Sequence, residues 1–192
     1  MERLNARLAS RNPNKARELE RLMPGWTIEL LDAEDYPPET GATYYDNARA
    51  KALFGRAFAG ADEWVLGEDS GLEVDGLGGG PGIRSARSGG ADPVAWLLRE
   101  LTKVAGEGRR ARYICELVAV SPEGTEAARG TGTLEGRIAD RPSGTEGFGF
   151  DPVFVPAGET ETVAELGNEW KAGRSHRADA AHALLGRLSQ AG

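Results

Sequence analysis

Leu4, Ala6 and Leu8 alternate with polar residues, the two-residue period of a half-buried strand. After Ser10-Arg11-Asn12-Pro13-Asn14-Lys15, the apolar residues Ala16, Leu19 and Leu22/Met23 recur at helical spacing. Asn12 predicts an N-cap, with Pro13 at the first helical position. Pro24-Gly25 ends that helix, Trp26 to Leu31 predicts a second strand, and Asp32 to Pro38 a turn-rich acidic loop. Thr43 followed three residues later by Asp46 resembles a capping box. The helix it opens has a small-residue face of Tyr45, Ala48, Ala52 and Gly55 suited to packing on a sheet. Asn47 and Lys51 share one face at i, i+4.

Further on, Trp64-Val65-Leu66 reads as an apolar strand that delivers Glu68, Asp69 and Ser70 to a tight turn, followed by the glycine run Gly78 to Gly82. Pro81 to Arg87 brings Arg84 and Arg87 out of that loop. Asp92-Pro93 opens a helix whose stripe is Val94, Leu97, Leu98 and Leu101. Arg112 to Val120 is apolar on both faces and predicts a buried centre strand. Ser121-Pro122-Glu123-Gly124 is a turn, and Glu126 to Ile138 its hairpin partner. Gly147-Phe148-Gly149-Phe150-Asp151-Pro152 reads as a loop. Ser175 predicts the cap of a last helix with Ala180, Ala181, Leu184, Leu185 and Leu188 inward.

A chain of 192 residues suits one domain, or one domain with two lobes. Its 40% apolar and 28% charged residues are ordinary for a soluble globular protein. The net charge of −7 argues against a broad footprint for duplex nucleic acid, so a small substrate is expected. Cys115 is the only cysteine, which excludes an intrachain disulfide and a cysteine-based zinc site and predicts a buried, inert thiol. Met1 to Arg7 has no apolar leader region, and no stretch approaches about 18 apolar residues. A soluble, cytoplasmic protein with no membrane partner is expected.

The chemistry lies in a few clusters. Adjacent carboxylates such as Glu68 and Asp69 repel unless a cation or donors stand between them, an arrangement suited to Mg²⁺, which takes hard oxygen ligands. A solvated acidic turn is the plainer alternative. Ser10, Asn12 and Lys15 surround a helix N-terminus, a natural anion site, or else simply a well-capped helix. Glu39, just before a helix, faces solvent or reaches a metal. Phe148 and Phe150, flanked by glycines, suit an aromatic face against a planar ligand, or else the core. His176 and Arg177 in a first helical turn oppose the helix dipole, which points to a ligand or partner that uses them. His182 reads as surface or structural.

In this order the clusters resemble the inosine/xanthosine triphosphate pyrophosphatase family. The matching stretches are Ser10 to Lys15, Glu39-Thr40-Gly41 with Asn47-Ala48 and Lys51-Ala52, Asp69 to Val74, Gly79 to Arg87, Gly147 to Pro152, and Ser175-His176-Arg177. The resemblance implies an elongated, two-lobed α/β fold with a mixed central β-sheet flanked by helices, an active-site cleft between the lobes, and a homodimer. It implies one pyrophosphatase domain over residues 1–192. The implied reaction is Mg²⁺-dependent hydrolysis of ITP, dITP and XTP to the monophosphate and pyrophosphate. By matching positions, Asp69 is the proton acceptor, and Glu39, Asp69 and Glu68 hold the metal. Ser10, Arg11, Asn12, Lys15, Lys51 and Ser70 contact the substrate's polar part. Phe148, Gly149, Phe150, Asp151, Lys171, His176 and Arg177 contact the base.

The chain departs from the usual family pattern at Arg11 (commonly small), Glu68 (commonly Asp), Phe150 (commonly Tyr), and Arg84 and Ser88 (commonly aromatic). Trp170 beside Lys171 is also unusual and is placed to cover a base pocket. Two further readings stand beside the leading one. One is a pyrophosphatase of the same fold with another base preference; the other is a nucleotide-binding module without turnover. Glu39, Glu68, Asp69 and Lys15 together argue against the second, since a pure binder has no use for crowded carboxylates.

Overall fold

The computed structural model describes residues 3–191; Met1, Glu2 and Gly192, the ends of the expected 1–192 domain, lie outside the described residues. The strands are β1 (Leu4–Leu8), β2 (Trp26–Leu30), β3 (Trp64–Val74), β4 (Arg110–Val120), β5 (Glu126–Ile138) and β6 (Phe154–Pro156). The α-helices are α1 (Pro13–Leu22), α2 (Tyr44–Gly55), α3 (Pro93–Glu100), α4 (Val163–Arg174) and α5 (His176–Ala191). One mixed six-stranded sheet runs in the order β2-β1-β3-β4-β5-β6. β1 is parallel to both β2 and β3, and β5 is antiparallel to β6. The long β3 and β4 take the middle of the sheet, and Cys115 to Val120 is buried throughout, Glu116 included, as apolar residues on both faces predict.

Two compact units divide the described residues. The first comprises the chain up to Asp69, Cys115–Gly132, and His176 onward; the second comprises Ser70–Ile114 and Thr133–Ser175. In the first unit, Ala9, Leu31, Ala48, Ala52, Val65, Val118 and Val120 form a core cluster. In the second, Leu72, Val74, Leu97, Leu101, Tyr113, Phe150 and Phe154 belong to another.

The local signals are borne out where they depend on near neighbours. Asn12 Oδ1 accepts from the Asn14 N–H at 2.9 Å, with Pro13 opening α1 and Ala16, Leu19 and Leu22 buried. Thr43 and Asp46 form a full capping box on α2. Asp92 caps α3 through the Ala95 N–H at 2.8 Å. The turn joining β4 to β5 closes through Ser121 N–H to the Thr125 carbonyl at 2.8 Å.

One expectation is corrected, and one helix is unannounced. The acidic pair is not at a turn: β3 continues from Trp64 to Val74, and Glu68 and Asp69 lie in mid-strand, 0% and 4% exposed. Solvent at a turn is not needed because side chains from neighbouring elements supply the cations and donors. The chain leaves the strand only after Val74, through short 3-10 turns at Asp75–Leu77 and Gly82–Arg87. Helix α4 carries no apolar stripe that predicts it. It begins with a capping box of Thr162 and Glu165 but is interrupted at Gly167, whose φ of 85° is left-handed, so the helical period breaks.

Glycine in the strands brings helix backbones onto the sheet. A Cβ on Gly67 of β3 would stand 2.0 Å from the Ala48 carbonyl oxygen and 2.6 Å from the Ala52 nitrogen of α2. Backbone atoms cannot yield as a flexible side chain can. The small face of α2 therefore lies directly on β3, within reach of Asp69. On β5, a Cβ at Gly132 would stand 1.9 Å from the His176 carbonyl, which sets the start of α5 against that strand in the same way.

Candidate active site

Because α2 rests on Gly67, Asn47 and Lys51, one turn apart, both point at Asp69. Asn47 Nδ2 donates to Asp69 Oδ2 at 3.1 Å, and Lys51 Nζ donates to Asp69 Oδ1 at 2.9 Å. The same ammonium donates to the Glu68 carbonyl at 3.0 Å and pairs with Glu39 Oε1 at 2.5 Å. Asn47 also accepts the Gly41 N–H at 2.9 Å, tying the Glu39-Thr40-Gly41 loop to the helix. Burial pushes the Asp69 carboxyl above its usual range, against the pull of Lys51 and Asn47. Burial opposes the Lys51 charge, yet Asp69 and Glu39 hold the ammonium firmly protonated.

Glu68 points away from that group into a second ion cluster. Its Oε2 pairs with Lys15 Nζ at 2.5 Å and its Oε1 with Arg177 Nη2 at 2.9 Å. Arg177 also meets Glu18 of α1 through Nη1. Burial alone would raise the Glu68 carboxyl, but Lys15 and Arg177 overcome it and hold it far below the usual carboxylate range. Cys115 Sγ lies 3.5 Å from Glu68 Oε1. Burial first, and then that negative charge, push its thiol well up, so it is the inert thiol expected.

The helix start before α1 brings Ser10, Asn12 and Lys15 together: Ser10 Oγ accepts the Asn12 N–H at 3.1 Å, while Lys15 reaches Glu68. Arg11 turns elsewhere, donating to the Glu34 carbonyl and standing 5.1 Å from the Tyr36 ring centre. Ser70 follows Asp69 on β3 and is half-buried.

In the second unit, Asp151 is the hub. Its Oδ2 accepts from the Phe148 N–H and from Lys171 Nζ, each at 2.8 Å, and its Oδ1 from the Tyr113 hydroxyl at 3.3 Å. Lys171 Nζ lies 4.7 Å from the Phe148 ring centre, in cation–π range. Gly149, at φ 65°, is exposed between the two aromatics. The ring of Phe150 is buried in the core cluster, so the aromatic face expected of this loop belongs to Phe148 alone. Trp170 packs against the same cluster and donates to Glu159 at 3.2 Å. Arg84 is exposed, and Ser88 donates back to its carbonyl at 3.0 Å.

His176 and Arg177 open α5, as expected, and both are buried. The protein itself supplies the counter-charge to Arg177 through Glu68 and Glu18, so opposition to the helix dipole at that position calls for no ligand. Glu18 was not legible in advance, because 159 positions separate it from Arg177. The role of Asn47 had one signal, its i, i+4 spacing from Lys51.

As a donor set for a metal, Glu39, Glu68 and Asp69 offer oxygen only, which fits a hard divalent cation. Glu39 and Asp69 already converge on one cation, the Lys51 ammonium. Among the described residues, no group of three histidine, cysteine or acidic side chains is gathered tightly enough to hold an ion unaided, so water or substrate oxygens would complete the coordination.

A family model described as the Ham1 family matches residues 6–187. A dITP/XTP pyrophosphatase of Bdellovibrio bacteriovorus is 46% identical over 156 residues, covering 79% of this chain and 77% of its own. That of Thermus thermophilus is 44% identical over 188 residues, covering 93% and 88%. Among solved structures, a HAM1 protein from Coxiella burnetii superposes with a TM-score of 0.82 at 31% identity, covering 98% of this chain and 100% of its own. A nucleoside-triphosphatase / dITP/XTP pyrophosphatase from Mycobacterium abscessus gives 0.71 at 41% identity, covering 95% and 99%. With a family model spanning nearly the whole sequence and relatives above 40% identity along its length, the chain belongs to the Ham1 family.

Proposed function

We propose that this protein is a nucleoside-triphosphate pyrophosphatase that hydrolyses ITP, dITP and XTP to the monophosphate and pyrophosphate, with Mg²⁺ as cofactor. The observation that carries the reading is the setting of Asp69: a buried carboxylate held on both oxygens by Lys51 and Asn47, in a family whose relatives are named dITP/XTP pyrophosphatases. Residues 1–192 act as one domain in this reading, in a cytoplasmic homodimer that binds neither nucleic acid nor membrane. Among the described residues no helix is long and apolar enough to cross a membrane.

Glu39 and Asp69 would hold the metal, which when bound neutralises phosphate charge and makes water a better nucleophile; Glu68, expected beside them, is instead turned into its ion cluster with Lys15 and Arg177. Asp69 accepts the proton of the attacking water. Its burial raises the carboxyl above its usual range, toward the working range of a general base. Ser10, Asn12 and Lys15 bind the triphosphate at the start of α1, where the helix dipole favours negative charge. Lys15 and Arg177 neutralise Glu68 and so keep its charge from repelling that anion.

Phe148 offers a ring face to a purine, and Lys171 a donor to the carbonyl at position 6 of hypoxanthine or xanthine. Asp151 fixes both, through the Phe148 N–H and the Lys171 ammonium. Adenine presents a donor at that position, and facing donors left unpaired in a buried site cost about 1–3 kcal/mol each. Rejection of ATP follows.

The test is pyrophosphate release from ITP, dITP, XTP, GTP, ATP and dUTP, each with and without Mg²⁺. Fast Mg²⁺-dependent turnover of ITP and XTP with poor turnover of ATP is expected. Preference for dUTP or ATP would keep the chemistry and overturn the base assignment, and no turnover of any nucleotide would overturn the proposal.

A further inference from the structure

The ammonium of Lys51 has three N–H donors and no acceptor. Three acceptors surround it: Glu39 Oε1 at 2.5 Å, Asp69 Oδ1 at 2.9 Å and the Glu68 carbonyl at 3.0 Å. Every donor is therefore committed, and the side chain is only 11% exposed. In this arrangement Lys51 has no proton left to offer a phosphate oxygen. It is itself the cation that holds Glu39 and Asp69 together.

Glu39 and Asp69 are also the carboxylates assigned to the metal, and the inference rests on that assignment. An ammonium and a divalent cation cannot share one pair of carboxylates at these distances. Like charges about 4 Å apart repel by several kcal/mol at the effective dielectric of a partly buried site. Lys51 has a flexible four-carbon stem and a compact charge, so it can leave while α2 stays fixed on Gly67.

We propose that Lys51 is an exchangeable internal counter-ion. It neutralises Glu39 and Asp69 before metal enters and is released from them when a divalent cation binds. The freed ammonium then becomes a donor for the phosphate part of the substrate. Metal binding and anion binding are coupled through this one side chain. Each favours the other, because the ammonium that metal displaces is the one the anion needs. The device also keeps the buried Asp69 and the half-buried Glu39 from facing each other unneutralised.

The test measures Mg²⁺ binding with no nucleotide present, by calorimetry and by the shift of the urea unfolding midpoint, in wild type and Lys51→Met. The variant should bind Mg²⁺ more tightly, by about 5- to 150-fold, the usual range of a coupling between two ligands, with a larger midpoint shift. Equal or weaker binding by Lys51→Met overturns the exchange. Should that variant fail to fold, ¹⁵N-lysine side-chain NMR of the wild-type protein decides, with the Lys51 signal assigned through Lys51→Arg. The signal should move as Mg²⁺ saturates; an unmoved Lys51 signal at saturation overturns the proposal. Glu39→Gln and Asp69→Asn separate the underlying assignment from the exchange itself. Loss of Mg²⁺ binding in both supports the metal assignment whatever Lys51 does. Unchanged Mg²⁺ binding in both removes that assignment, and the exchange with it.

Discussion

Asn47 Nδ2 donates to Asp69 Oδ2 at 3.1 Å, so the carboxylate read as the proton acceptor is oriented by a helix that the glycine of its own strand admits. The other end of the same amide accepts the Gly41 N–H, which places the loop bearing Glu39. One side chain thus sets both carboxylates assigned to the metal, Glu39 and Asp69.

Asn47→Ala should therefore lower turnover of ITP by about 10- to 100-fold, the usual effect of removing a group that orients a metal-binding carboxylate. The circular dichroism spectrum should stay that of the wild type. Steady-state pyrophosphate release measures the loss, and a rate within twofold of wild type would remove Asn47 from the site.

Glu68 should govern acid stability. Its carboxyl is held below the unfolded value of about 4.3. The stability it contributes is thus fully present above that value and is lost as pH falls below it. Glu68→Gln leaves Lys15 and Arg177 without their shared partner in a buried site, a loss of about 3–5 kcal/mol at pH 7. Urea midpoints of the two proteins at pH 7, 5, 4 and 3 should converge toward the acid end, because only wild type loses this contribution there. Parallel curves would contradict the assignment.

Lys171 and Asp151, 4% exposed each, form a buried pair. Lys171→Met should cost about 3–5 kcal/mol by stranding the Asp151 charge, and adding Asp151→Asn should restore part of it. The ratio of ITP to ATP turnover should stay reduced in the double variant, because the donor for the purine carbonyl is still missing. Recovery of both stability and discrimination would make the pair purely structural.

Much of the fold was legible because its signals are local. Asn12 before Pro13, Thr43 before Asp46, and Asp92 before Pro93 act on N–H groups two or three residues away, so the order of residues suffices to read them. The apolar residues on both faces of β4 announced a central strand for the same reason. Helix α4 escaped because Gly167 breaks the period that would reveal it.

The sequence alone also determined which residue types the site would contain: two adjacent carboxylates, a glutamate ahead of a helix, a lysine beside a capped helix start, and an aromatic loop ending in Asp-Pro. Only the tertiary structure decided what each charge faces. Glu68 meets Arg177 across 109 positions, and Asp69 meets Lys51 across 18. Whether a buried carboxylate is bound by arginine, by lysine or by an amide depends on how closely two backbones approach. Here a missing Cβ at Gly67 sets that approach for α2, and one at Gly132 sets it for the start of α5.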